Sequence, residues 1–253
     1  MPKEKELVKK QNTEIAVAGN KMGLEEGIDN ADLIVPRLML IQYTPPKTVS
    51  IDEKLCPPGS LINSLTAQPV MHDDKGGVPF IPIIRGVKWV LFNAQDDNKP
   101  NFDPNYEPGA KIWESRDPSD PRVIQFGAWG ANNEPPIATK FIEFLVTIPG
   151  ESMPLVLGFA KTSFNAGRQL SSMAQYTKKP AIFHDKYRLL SKKVQNDQKQ
   201  SFYVLTVQRI GDASEAEITE AKAYYDTFLG KKIKAHGDEE EESVPVAPRQ
   251  PWE

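Results

Sequence analysis

The chain has 253 residues, 39% of them hydrophobic, and a formal net charge of −3. That length and apolar content support a real core and exclude a disordered or fibrous chain. Its one cysteine, Cys56, excludes an internal disulfide and a thiolate metal cluster within one chain, and fits a reducing cytoplasm.

Residues 1–30 are polar, alternate Lys and Glu through Lys3-Glu4-Lys5-Glu6 and contain Gly19, Gly23 and Gly27, which predicts a flexible N-terminal arm. Their only apolar stretch, Ile15–Ala18, is too short for a signal peptide or a membrane span, so a soluble, intracellular protein with no membrane partner is expected. Leu33–Gln42 has strand composition but contains Pro36, which demotes part of it to an edge. Ser60–Thr66 follows a Pro-Pro-Gly turn. Val78–Phe92 is the longest apolar run, and Gly86 within it predicts a bulge or bend.

Residues 93–122 are dominated by Asn, Asp and Pro, with Lys111-Ile112-Trp113 as a short pairing segment. A loop of that length inside a domain is functional or disordered. Val123–Trp129 is the next expected strand. Lys140–Ile148 places Ile142, Phe144, Val146 and Ile148 on one face at period two, with Phe141, Glu143 and Thr147 on the other. A Pro149-Gly150 turn leads to its expected partner, Leu155–Lys161. Asn165–Tyr176 spaces Leu170, Met173 and Ala174 as a short helix. Phe202–Arg209 is the last expected strand. Ser214 with Glu217 forms a capping box, and Ile218, Ala221, Tyr225, Phe228 and Leu229 recur at helical intervals up to Gly230. The fold class expected is mainly β (α+β): a Greek-key barrel over 31–230 with a short inserted helix and a C-terminal helix.

No phosphate-binding glycine loop and no nucleophile elbow occurs, and His72, His184 and His236 stand singly. His72-Asp73-Asp74 reads as a turn capping its own backbone. Asp96, Asp97, Asp103, Asp117 and Asp120 read as turn formers rather than a two-metal site, which needs carboxylates on rigid elements. A binding protein without catalytic residues, metal or cofactor is expected.

Residues 161–199 carry nine Lys or Arg against two Asp, interleaved with aromatics. Single-stranded nucleic acid offers a charged backbone and unpaired π-faces, so its binders combine cations with stacking rings. The expected contacts within the block are Phe159, Lys161, Phe164, Arg168, Tyr176, Lys178, Lys179, Lys186, Tyr187, Arg188, Lys192, Lys193 and Tyr203. Outside it, Arg85 and Lys88 lie beside Trp89 and Phe92, Lys111 beside Trp113 on the long loop, and Trp129 shares the face of Gln125.

From Ala235 onward six acids face one base, a charge of −5 that leaves +2 on the rest. Asp238, Glu239, Glu240, Glu241 and Glu242 repel one another, and Pro245, Pro248 and Pro251 forbid a continuing helix before Trp252 and Glu253. A disordered acidic tail over 231–253 is expected, able to compete for the basic surface.

The segments VPRLMLIQ (35–42), PPGSLINS (57–64), VPFIPIIRGVKWVLF (78–92), GFAKTSFNAGRQLSSMAQYT (158–177) and FYVLTVQRIG (202–211), with the DEEEE tail, resemble bacteriophage single-stranded DNA-binding proteins of the OB-fold type. The resemblance implies an OB-like barrel in the host cytoplasm that coats single-stranded DNA in replication, recombination and repair. It also implies a tail that recruits replication or recombination proteins through Asp238–Glu242, Trp252 and Glu253, and leaves a homo-oligomer open. Two alternatives stand beside it: a single-strand annealing or recombination mediator, and a virion or assembly protein without nucleic-acid binding.

Overall fold

In the computed structural model the described residues are 34–43, 51–52, 54–132, 134–231 and 233–236. The expected arm over 1–30 and the acidic run from Asp238 lie outside them. Eleven strands and three α-helices follow in chain order: β1 (Ile34–Val35), β2 (Arg37–Leu40), β3 (Leu61–Asn63), β4 (Gln68–Pro69), β5 (Val78–Phe92), β6 (Lys111–Ser115), α1 (Pro121–Phe126), β7 (Thr139–Thr147), β8 (Leu155–Phe159), α2 (Phe164–Tyr176), β9 (Asp185–Gln195), β10 (Ser201–Asp212), α3 (Glu215–Phe228) and β11 (Lys234–Ala235).

Among these residues nine strands join in one sheet of order β10-β9-β5-β7-β8-β2-β3-β4, with β6 paired to β5. The protein is mainly β, and the sheet curls strongly into a half-barrel. The hub is β5, fifteen residues long. It pairs along one side with β7, and along the other first with β9 and then with β6. The ladder with β7 slips one residue between Pro82 and Ile84. This corrects the expectation of a bulge at Gly86: Pro82 has no N–H to give the ladder, whereas Gly86 sits in register opposite Glu143.

Both faces of the sheet are covered. On one, the alternating Ile142, Phe144 and Val146 of β7, and Ile148 just after it, pack with Leu155, Leu157 and Phe159 of β8, Phe80, Tyr187 and Leu189, beneath Ala166 and Leu170 of α2. On the other, Ile81, Ile83, Leu145 and Val156 meet Ala221 of α3, flanked by the half-buried Ile218, Tyr225 and Phe228. Each large side chain taken out of water here contributes about 1.5–3 kcal/mol. Helix α2 can approach so closely because residue 167 is glycine; a Cβ there would stand 2.7 Å from Cβ of Phe159.

The α3 capping box forms as the sequence specifies, with Ser214 and Glu217 each bonding the other's backbone N–H. One expectation gives way. The segment 123–129 is not a strand: Pro121 at the first helical position and the Asp120 carboxylate, which accepts from the Arg122 N–H, start α1 instead. At the other end of the described residues, His236 N–H donates to the Val35 carbonyl beside β11, which pairs in parallel with β1.

The long loop is built around Asn93, which is buried. Its side-chain nitrogen donates to the carbonyls of Asp103, Tyr106 and Glu107, and its side-chain oxygen accepts from the Asp103 N–H at 2.7 Å. Asp96, Asp103 and Asp117 each accept from a backbone N–H two residues on, as turn formers do.

Candidate nucleic-acid interface

The C-terminal half of β5 and the start of β7 carry rings and cations in cross-strand register. Trp89 faces Lys140, and the Lys140 ammonium lies 5.1 Å from the Trp89 ring centre. On the opposite face of the same pair, Lys88 faces Phe141. The Phe141 ring lies 6.4 Å from that of Phe92, over which Lys161 places its ammonium at 5.9 Å. Lys161 reaches Phe92 because its φ of +46° turns the chain from β8 into α2. A left-handed conformation at a non-glycine residue costs of order 1–2 kcal/mol. On β6 and α1, Arg122 lies 5.2 Å over Trp113, whose ring leans on Phe126. Gly127 ends α1 against the edge of Trp89, where a Cβ would come within 3.1 Å of the indole.

A second group of rings sits at the sheet's seam. Tyr43 and Tyr203 have centroids 5.8 Å apart, and Lys193 stands 5.6 Å over Tyr43. The two surfaces are linked: Leu205 N–H on β10 donates to the Ser163 hydroxyl, two residues after Lys161.

Several expected contacts lie elsewhere. Phe159 and Tyr187 are 0% exposed and belong to the core, because both point inward from their strands; they offer no stacking face. Phe164 packs half-buried on the same core. Lys88 is 3% exposed and bridges Glu143 and Glu114. Arg188 is buried and donates to Asp73 at 2.5 Å. Lys186 pairs with Glu217, Lys179 with Asp185 and Asp212, and Lys111 with Glu114. These cations are committed to carboxylates, so the basic block is less basic than its composition.

The remaining expected residues reach the surface. Lys161, Arg168, Lys178, Lys192 and Lys193 are exposed, as are Tyr176 at 84% and Trp129 at 67%. Arg85 is exposed and donates to the Ser171 hydroxyl of α2 at 2.9 Å. Trp89, Trp113 and Tyr203 are half-buried, each with one face engaged. Sequence reading missed Lys140, Arg122, Phe141 and Tyr43, whose ring and cation contacts depend on cross-strand or tertiary neighbours.

Behind this surface lies a buried ion cluster. Glu143 Oε1 is 3.3 Å from both Arg37 and Lys88, and Oε2 is 2.9 Å from Arg116. Its register partners on the flanking strands are Gly86 and Gly158, and a Cβ on Gly86 would stand 3.4 Å from Arg116 Nη1. Arg37 and Arg116 also bond the carbonyls of His236 and Ile233. At the start of β9, Asp185 is fully buried; although desolvation opposes it, hydrogen bonds from Arg209 and Lys179 hold its carboxyl below the ordinary range. Burial pushes the Tyr187 phenol up to about 12.

No helix among the described residues is long and apolar enough to cross a membrane. A protein-family model described as Pam3 phage gp34-like protein matches residues 4–234. No curated protein and no solved structure matches the chain.

Proposed function

The chain belongs to the Pam3 phage gp34-like protein family, and from that premise we propose that it is a sequence-tolerant single-stranded DNA-binding protein. In this reading it coats and protects single strands during phage DNA replication, recombination and repair. The observation that carries it is the seating of cations over rings along β5, β6 and β7: Lys140 on Trp89, Lys161 on Phe92 and Arg122 on Trp113. Unpaired bases stack on such rings, each worth roughly 1–3 kcal/mol, while the adjoining ammonium and guanidinium groups meet the phosphates. Duplex DNA hides its π-faces and cannot use them.

Affinity built this way follows backbone charge more than base identity, and falls steeply with salt. The acidic run Asp238–Glu242 supplies a tethered polyanion able to compete for the same cations and, with Trp252 and Glu253, to recruit replication proteins.

A band-shift assay with a labelled oligonucleotide, run beside duplex and RNA competitors, tests the reading. Single strands of any sequence should shift and compete equally, and duplex should compete poorly. Lys161→Gly together with Lys140→Ala should weaken binding to all sequences alike. Absence of a shift at low salt overturns the assignment.

A further inference from the structure

The Tyr43 and Tyr203 pair is held with more care than an exposed contact needs. Gln42 clamps the Tyr203 backbone at two points, its amide nitrogen donating to the Tyr203 carbonyl at 2.8 Å and its amide oxygen accepting from the Tyr203 N–H at 2.9 Å. Gly59, at φ +98°, lets a loop pass so close to the ring that a Cβ there would stand 2.5 Å from Cε1 of Tyr203. Lys193, directly opposite Tyr203 in the β9–β10 register, sets its ammonium over Tyr43. Hydrogen bonding to that ammonium holds the Tyr43 phenol below its ordinary range, and the hydrogen bond with Tyr43 holds Tyr203 above its own.

Neither ring belongs to a core cluster, and Tyr43 remains 51% exposed. A fixed aromatic surface bearing an ammonium and two phenolic hydroxyls matches a planar base joined to a phosphate. Its neighbour along the chain path is the primary surface: Leu205, about 7 Å along β10 from Tyr203, is bonded to Ser163, and Lys161 lies just before that residue.

We propose that Tyr43, Tyr203 and Lys193 form a second nucleotide-binding point, taking one unpaired base with its phosphate, and that a strand long enough to pass from the Lys161 surface engages both. This rests on the single-strand reading above. The predicted consequence is a dependence on strand length: the second contact is intramolecular once the first is made, so affinity rises in a step when the strand can span both.

Fluorescence anisotropy with the full chain and labelled oligothymidylates of about 4 to 16 nucleotides provides the test. Wild type should show the step. Tyr43→Ala with Lys193→Ala should abolish it, weakening the longest strands about tenfold or more and leaving the shortest unchanged; Tyr43→Phe, which keeps the ring, should retain most of the step. Variants that match wild type at every length, or that lose equally at every length, overturn the second point while leaving the general reading intact. Wild type that binds no oligomer fails the general reading first, before any variant is compared.

Discussion

Gln42 stands in for a missing strand at Tyr203, meeting both the N–H and the carbonyl of that residue through its side-chain amide. Together with the Ser163 hydroxyl at Leu205, it occupies backbone groups on the outer edge of β10 that an edge strand would otherwise expose. Gln42→Ala should therefore cost about 1–3 kcal/mol of unfolding free energy, read from urea midpoints. Gln42→Glu should cost more, since a carboxylate cannot donate to the Tyr203 carbonyl. Equal stability of wild type and Gln42→Ala would show that the clamp carries no load.

Lys161 offers a separation of binding from stability. Its φ of +46° favours glycine, so Lys161→Gly should leave stability unchanged or raise it by up to about 1 kcal/mol. The same change removes the cation over Phe92 and should weaken single-strand binding while reducing the salt slope by about one. Thermal melts and anisotropy titrations at several salt concentrations read the two effects.

Trp129 is exposed and belongs to none of the core clusters among the described residues. Trp129→Ala should shift stability by no more than about 0.5 kcal/mol. If its indole stacks a base, affinity should fall by roughly 1–3 kcal/mol, measured by anisotropy; an unchanged affinity removes it from the interface.

The pH dependence follows from two groups on β9. Asp185 titrates lower in the folded chain than in the unfolded one, so it contributes stability above the ordinary carboxylate range, near 4, that is lost as pH falls through its folded value. Asp185→Asn should flatten the acid limb of a stability profile. Tyr187 is raised to about 12, so its contribution is complete below the ordinary phenol value near 10 and is lost as pH climbs toward 12. Tyr187→Phe should abolish that alkaline loss. Because the buried Tyr187 hydroxyl has no hydrogen-bond partner among the described residues, the change should also stabilise the protein at neutral pH by about 1 kcal/mol.

Removal of residues 237–253 should tighten single-strand binding severalfold and steepen its salt response, by taking away a tethered competitor for the cations. Filter binding across a salt series measures both, and unchanged affinity refutes the competition.

The sequence made some of this plain. The alternation along β7 and the capping box of α3 are local signals, and both formed as written. The helix α1 was hidden because its six residues carry Val123, Ile124 and Phe126 in an order that also fits a strand, and only Asp120-Pro121 marks its start. β9 was hidden for another reason: its Lys and Arg residues look solvated until Asp73, from a distant turn, and Glu217, from α3, neutralise Arg188 and Lys186. The proposed site was the least legible part. Lys140 comes over a ring only by standing across from Trp89 on another strand, and Phe159 and Tyr187 offer no face only because their strands turn them inward.

The cluster around Glu143 has an evolutionary corollary. Three positive heads, from Arg37, Lys88 and Arg116, converge on its one carboxylate, and a Cβ on the facing Gly86 would already stand 3.4 Å from Arg116. Losing the acid alone would strand like charges beside one another, and a bulky side chain at 86 would press on the Arg116 head. Relatives should therefore either keep all five positions or exchange them as a set, and covariation among 37, 86, 88, 116 and 143 would be the trace of that constraint.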